Sequence, residues 1–268
     1  MIRSKTPGVE IIRKNMKNIY LSIVIPCYNE EENLKREVLK EVWDFLIKQK
    51  YTWEVVVSDD GSTDNSRGMI RKQISNWNNF KLLENTHKGK PSALWSGIKK
   101  AKGKYVLLTD MDQSTPIEEL KKLLTQVDNF NVVIGSRGLQ RKDFPIYRKL
   151  GALVFMSFRK LMILSEINDT QCGFKLFKTD LLKAAFPKLE YFKNSEEVVG
   201  WKVTSYDVEL LHILKKMKVK IKEVKVIWDD RDKSASKGGV MQRYFRESID
   251  MLKQIIIVKK NDLKGLYD

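Results

Sequence analysis

The sequence predicts an α/β fold, a mostly parallel central sheet flanked by helices, and three observations carry that expectation. Short apolar runs of strand length alternate with helix-period segments from Tyr20 to about Gly135, the pattern of parallel strands covered by helices. Several of the helical segments open on a Ser or Thr, or on a Pro in the first turn, as helix starts do. The residues that follow the apolar runs are polar and acidic, and the carboxyl ends of the strands are where an open α/β sheet binds its ligands. With 268 residues, 42% hydrophobic and 10% aromatic, the chain has enough apolar surface for a large core.

Taken in order, the strands are expected at Tyr20–Tyr28, Trp53–Asp59, Phe80–Glu84, Tyr105–Thr109 and Asn131–Gly135, with helices at Glu31–Gln49, Ser62–Ser75, Pro91–Ala101 and Pro116–Val127 between them. Beyond Gly135 the alternation weakens. Phe144–Leu164 reads as an amphipathic helix, either packed on the core or dipping an apolar face into lipid. The stretch Arg137–Lys160 holds seven basic residues against one acid, which favours the lipid reading. A helix at Tyr206–Met217, a strand at Ile221–Trp228, a polar loop at Asp229–Gly239 and a helix at Val240–Ile257 complete the pattern. The expected division is a basic extension over 1–18, one domain over 19–257 in two halves, 19–136 and 137–257, and a tail over 258–268.

Fifty Lys and Arg against 34 Asp and Glu give a net charge of +16, which favours polyanionic partners: phosphates, nucleic acid or an anionic membrane face. Nucleic acid is the least suited, because the aromatic and basic residues are not interleaved as base stacking requires; a non-catalytic basic binding protein would explain the charge but leave the acidic Asp59–Gly61 and Asp110–Asp112 segments idle. Cys27 and Cys172 lie far apart in apolar or motif-like surroundings, as expected of free thiols in a reducing, cytoplasmic setting. The basic N-terminus lacks an apolar signal core, and no stretch reaches the roughly 18 apolar residues of a spanning helix. A soluble or peripheral protein is therefore expected, in the cytoplasm and peripheral on the cytoplasmic membrane face. The sequence leaves the oligomeric state open.

The chemistry gathers at the strand ends. Asp110-Met111-Asp112 follows the run Tyr105–Thr109. Two carboxylates one residue apart at such a turn can hold a divalent cation against a diphosphate, with Gln113 as a further oxygen ligand. Oxygen ligands suit Mg²⁺ or Mn²⁺. The turn around Asp59, Asp60 and Gly61 lets a nucleotide approach the backbone while a carboxylate accepts from a base or ribose; it also reads as a plain glycine turn leading into a helix cap. Pro26, Tyr28, Asn29 and Glu30 face the same cleft from the first strand, and the acids also suit a helix start.

These segments, VIPCYNEEENL, VVVSDDGSTDNS and NTHKGKPSALWSGIKKAKGKYVLLTDMDQSTP, in this order and spacing, resemble glycosyltransferase family 2. The resemblance covers residues 20–257 and implies the GT-A fold and a nucleotide-sugar donor. It further implies that the first segment and Asp59–Asp60 hold the nucleoside, that Lys90 lies near the diphosphate, and that Asp110, Met111 and Asp112 serve donor and metal.

Further on, VVIGSR, DTQCGFKLF, SYDVELL and EVKVIWDDRDKSASK are similar to the dolichyl-phosphate β-glucosyltransferases. This implies UDP-glucose as donor and a polyprenyl or dolichyl phosphate as acceptor, with GDP-mannose, or a carbohydrate hydroxyl acceptor, as the alternatives. A lipid phosphate is already anionic, so inverting attack on the anomeric carbon needs positioning and charge neutralisation more than a strong base. Arg137 and then Arg148 are the expected grips for that phosphate. Asp169 and Gln171 are expected on the cleft floor. Asp207 falls where relatives with hydroxyl acceptors place a base, and equally where a carboxylate starts a helix. Lys237 is expected to reach the diphosphate. His87 sits beside the Lys88-Gly89-Lys90 turn and belongs either to the donor site or to a solvated loop.

Overall fold

The computed structural model describes residues 18–138, 156–193, 206–231 and 240–267. Arg148, Lys237, the extension up to residue 17 and most of the amphipathic segment expected at Phe144–Leu164 lie outside these residues; of that segment, residues 156–162 are helical.

The described strands form one seven-stranded sheet in the order β3-β2-β1-β4-β6-β5-β7. β1 (Leu21–Cys27), β2 (Trp53–Asp59), β3 (Phe80–Glu84) and β4 (Tyr105–Leu108) run parallel, with Leu21 opposite both Trp53 and Tyr105. β1 is buried along its whole length, as a central parallel strand with both faces covered must be. The helix α4 (Lys90–Lys100) crosses from β3 to β4 and packs on β1. Its Gly97 permits the contact, since a β-carbon there would come within 2.4 Å of Val24 Cγ1.

The one departure from parallel order positions the site. β6 (Lys175–Lys178) lies between β4 and β5 (Val132–Ser136) and is antiparallel to both. An antiparallel strand brings its amino end to the edge where its neighbours bring their carboxyl ends. The segment Asp169–Phe174, which leads into β6, therefore arrives beside the turns that follow β4 and β5. β6 was not among the strands expected from the sequence. Its four residues, Lys-Leu-Phe-Lys, are too few to show a period, and both neighbours are remote in sequence. β7 (Ile221–Lys225) pairs parallel with β5 at the sheet edge, as the expected strand at 221–228 does in part.

One core face packs Leu21, Ile23, Ile25, Leu39, Val42 and Leu107 together, and the other packs Val24, Leu94, Val106, Phe177, Leu210 and Ile255. The helices α7 (Tyr206–Lys216) and α8 (Val240–Leu263) cover the second face. α8 runs past the expected end at Ile257, and Val258 and Tyr267 are both buried.

The long helix expected at Glu31–Gln49 is in fact two, α1 (Glu31–Leu34) and α2 (Val38–Leu46). Between them Glu37 adopts the left-handed conformation, φ 58°. For a residue with a β-carbon this conformation costs about 1–2 kcal/mol, and glycine adopts it without that penalty. Glu37→Gly is accordingly expected to stabilise the fold by about 0.5–1 kcal/mol in urea unfolding. A continuous helix would instead be weakened by the same change.

Candidate active site

At the carboxyl end of β1, the φ of 54° at Asn29 turns the chain so that its Oδ1 accepts from Thr63 N at 2.8 Å, while Asn29 N donates to Ser62 Oγ at 3.0 Å. At the end of β2, Asp59 is wholly buried and accepts from Gly61 N, Ser62 N, Ser62 Oγ and Arg67 Nε. Asp60, also buried, accepts from Lys88 N at 3.0 Å and Gly89 N at 2.7 Å and meets the His87 ring at 2.9 Å. Burial pushes the Asp60 carboxyl up, against these N–H groups and the imidazole. The His87 ring stacks on Tyr28 at 4.3 Å. Gly61, with φ 77°, lies so close to His87 that a β-carbon would be 2.6 Å from its backbone nitrogen. Asp59 thus fixes residues 61 and 62, Asp60 fixes residues 87–89, and Asn29 Oδ1 takes up the N–H groups of Thr63 and Asp64. Pro26 is buried inside β1, and the Glu30 carboxylate accepts from Asn33 Nδ2 at 2.5 Å.

Beyond β4, three ion pairs meet. Lys90 Nζ lies 2.7 Å from Asp110 Oδ1, Arg137 grips Asp169 through Nε and Nη2 at 2.8 Å each, and Lys175 Nζ lies 2.5 Å from Asp207 Oδ1. Gly173 makes this convergence possible: a β-carbon there would fall 2.0 Å from Asp110 Oδ2. Burial would neutralise Lys90, yet Asp110, Asp207 and Asp112 hold its ammonium charged well above the ordinary lysine value. Burial likewise opposes ionisation of Asp110 and Asp169. Lys90 brings Asp110 below the usual carboxylate value, and Arg137 brings Asp169 far below it. Asp110 stays 39% exposed, enough for a ligand to reach it.

Three of the expected site residues are engaged within the protein itself. Arg137 commits Nε and Nη2, one edge of its guanidinium, and its backbone N–H at 3.0 Å to Asp169, so the expected phosphate grip is engaged in an internal pair. Its guanidinium also lies over the Trp228 ring. Met111 turns its side chain into the hydrophobic core, which removes it from contact with a donor. Gln113, 1% exposed, folds its amide back so that Nε2 donates to the Asp110 carbonyl at 2.8 Å, which braces the turn and leaves Oε1 buried without a hydrogen-bond partner among the described residues. Asp112 Oδ1 accepts from Ser114 N at 2.8 Å. Gln171 enters the site through its backbone N–H on Asp169.

Lys175 and Gly173 were missed as site residues. Both stand in the Asp169–Phe177 motif, and only the insertion of β6 brings them to the Asp110 turn. Arg36, whose Nη2 donates to the Asp112 carbonyl at 2.8 Å, carried no sequence signal at all, standing 76 residues away.

The model of glycosyl transferase family 2 matches residues 22–186. A dolichyl-phosphate beta-glucosyltransferase of Trichomonas vaginalis is 31% identical over 260 residues, covering 91% of this chain and 75% of the relative. The human dolichyl-phosphate beta-glucosyltransferase is 30% identical, covering 92% and 77%. Among solved structures, glucosyl-3-phosphoglycerate synthase from Mycobacterium tuberculosis in complex with Mn²⁺, UDP-glucose and phosphoglyceric acid superposes with a TM-score of 0.63 at 15% identity, covering 97% of this chain and 86% of that one. The mannosyltransferase PcManGT from Pyrobaculum calidifontis, in complex with GDP-mannose and Mn²⁺, gives 0.54 at 17% identity, covering 92% and 75%. These structures share the expected GT-A fold with this chain.

Removing the Asp169 charge leaves Arg137 uncompensated at 13% exposure, so Asp169→Asn is expected to cost about 3–5 kcal/mol at neutral pH. Because the folded-state value of Asp169 is depressed, its contribution is complete above the unfolded value of about 4 and is lost as pH falls towards the folded one. The stability gap between parent and variant in urea should therefore narrow as pH is lowered below about 4, and a gap independent of pH would contradict the pairing.

Proposed function

Because the chain belongs to glycosyl transferase family 2, we propose that it transfers glucose from UDP-glucose to a polyprenyl phosphate of the dolichyl type, with inversion and at a membrane surface. The observation that carries the choice of acceptor is the pairing of the central carboxylates. Asp110, Asp169 and Asp207 are each held by a cation, and an acceptor that brings its own negative charge needs no proton removed. For such a nucleophile, positioning and neutralisation supply most of the rate.

The cleft also fits a divalent cation. Among the described residues no three His, Cys, Asp or Glu side chains converge on one metal position, so the protein offers Asp110 and Asp112 and leaves the other ligands to diphosphate and water. Mg²⁺ binds alongside substrate phosphates in this way, and an all-oxygen set suits Mg²⁺ or Mn²⁺. When bound, such an ion neutralises the charge that develops on the leaving diphosphate.

The residues of the chain have separable tasks. The Asn29 turn, with the Asp59 and Asp60 floor, receives the nucleoside against backbone groups. Lys90 brings a fixed positive charge to the diphosphate side. Asp207, oriented by Lys175, lines the sugar side, and the Arg137–Asp169 pair closes the wall beside it. Attack on the anomeric carbon then proceeds in a cleft whose dipoles are already aligned. The dolichyl-phosphate beta-glucosyltransferase relatives support glucose and the lipid phosphate. The membrane setting is supported by the net charge of +16 and by apolar side chains left in solvent, Leu161 at 84% and Leu263 at 77% exposed. Among the described residues no helix is long and apolar enough to cross a membrane.

The test incubates the protein with Mn²⁺ or Mg²⁺, a short polyprenyl phosphate, and UDP-glucose or GDP-mannose in parallel. Lipid-linked glucose from UDP-glucose is expected, abolished by chelation and reduced about 100-fold or more by Asp112→Ala. Transfer from GDP-mannose alone would overturn the donor. Flotation with anionic vesicles should succeed at low salt and fail at high salt; no association at low salt would remove the membrane surface from the proposal.

A further inference from the structure

The turn that carries Asp112 is fastened from behind. Three consecutive backbone carbonyls are taken up by groups from distant parts of the chain: Asp112 O by Arg36 Nη2 at 2.8 Å, Gln113 O by Arg231 Nη1 at 3.3 Å, and Ser114 O by Asp229 N at 2.9 Å. Arg36 also donates through Nη1 to the carbonyl of Arg231, so one guanidinium bridges the turn and the segment 229–231. Arg231 is fixed in turn by both oxygens of Glu41, at 2.7 and 3.0 Å, and by its backbone N–H to Ser114 Oγ at 3.2 Å.

This fastening bears on the carboxylate itself. Gln113 holds a left-handed φ of 52°, which a side-chain-bearing residue keeps only when its surroundings impose it. Asp112 Oδ1 is oriented by Ser114 N, two residues on, so its direction follows the shape of the turn. Arg36 reaches the turn because the chain breaks at Glu37, between α1 and α2, which places the two ends of this network on opposite sides of the break.

We propose that Arg36 is a positioning residue that sets the Asp112 carboxylate for a divalent cation, acting through the backbone of the Asp112–Ser114 turn, with the Arg231–Glu41 pair as its anchor. The proposal rests on the metal-dependent reading above. Groups that orient a metal ligand without touching the metal typically change its affinity about 10–100-fold, and a planar fork that holds two carbonyls at once is not replaced by the point charge of a lysine.

The experiment is a titration of Mn²⁺ against the full chain in the presence of UDP, followed by electron paramagnetic resonance of the free ion, with thermal unfolding as a check on the fold. Arg36→Ala is expected to weaken Mn²⁺ about 10-fold or more, and Arg36→Lys to restore only part of the loss. Glu41→Gln, which loosens Arg231 and leaves Arg36 in place, should weaken Mn²⁺ less than Arg36→Ala. Lys40→Ala, which breaks only an exposed pair with Asp44, should leave the affinity unchanged. Unaltered affinity in folded Arg36→Ala and Glu41→Gln proteins would overturn the role of Arg36 while leaving the metal reading intact. No Mn²⁺ binding by the parent protein would overturn the metal reading and the proposal together.

Discussion

Three carboxylates and three cations share one end of this sheet, and five of the six, all but Asp110, are too little exposed to be held there alone. Isolated charges at low exposure cost several kcal/mol each, and a carboxylate without a partner takes up a proton instead. The partners come from elements far apart in sequence: Lys90 from the start of α4, Asp110 from the end of β4, Arg137 from the end of β5, Asp169 and Lys175 from either side of Gly173, and Asp207 from the start of α7. Their meeting requires β6 to run against its neighbours. A parallel strand in that position would carry Lys175 to the opposite edge of the sheet and leave Asp207 without its ammonium.

Such pairs add little net stability compared with apolar side chains of the same volume. What they supply is a fixed pattern of charge. Nucleotide-sugar chemistry moves negative charge from a sugar–phosphate bond onto a leaving diphosphate, and a site whose cations are already oriented needs little reorganisation when that happens. The same reasoning explains the glycines. Gly173 lets backbone lie against the Asp110 carboxylate, and Gly61, with φ 77°, brings the second strand's turn against His87. At both positions a side chain would force apart two segments that the fold holds in contact.

Much of this was legible in the chain. The five apolar runs read as strands because parallel strands, covered on both faces, are apolar throughout, and the acidic turns after them marked the binding edge. β6 was not legible, since four residues carry no period and their strand character comes entirely from β4 and β5. The break at Glu37 was hidden because its flanks, Glu31–Leu34 and Val38–Leu46, both have helical character and no Gly or Pro separates them. Arg137 and Gln113 were read by residue type, as a phosphate grip and a metal ligand. Which partner a guanidinium or an amide takes is decided by neighbours distant in sequence, and here those were Asp169 and the Asp110 carbonyl.

The helix that offers Asp207 to the cleft also ties the cleft to the far end of the chain. Glu209, two residues on and nearly buried, is pushed up by burial, although the Tyr267 hydroxyl and Glu190 N–H both donate to it, at 2.7 and 2.8 Å. Asn261, on α8, donates to the Glu190 carboxylate at 2.7 Å, and the neighbouring Tyr191 hydroxyl donates to the carbonyl of Lys88. Lys88 N in turn donates to Asp60. A path of hydrogen bonds, continued through the Glu190–Tyr191 backbone, therefore runs from the end of α8, through a buried carboxylate on α7, to the loop that presents Lys90. Tyr267 is 1% exposed, so this junction is part of the core. The residues after Ile257 consequently belong to the structural support of the Lys88–Lys90 loop, and the two sides of the cleft rest on the same short stretch of α7.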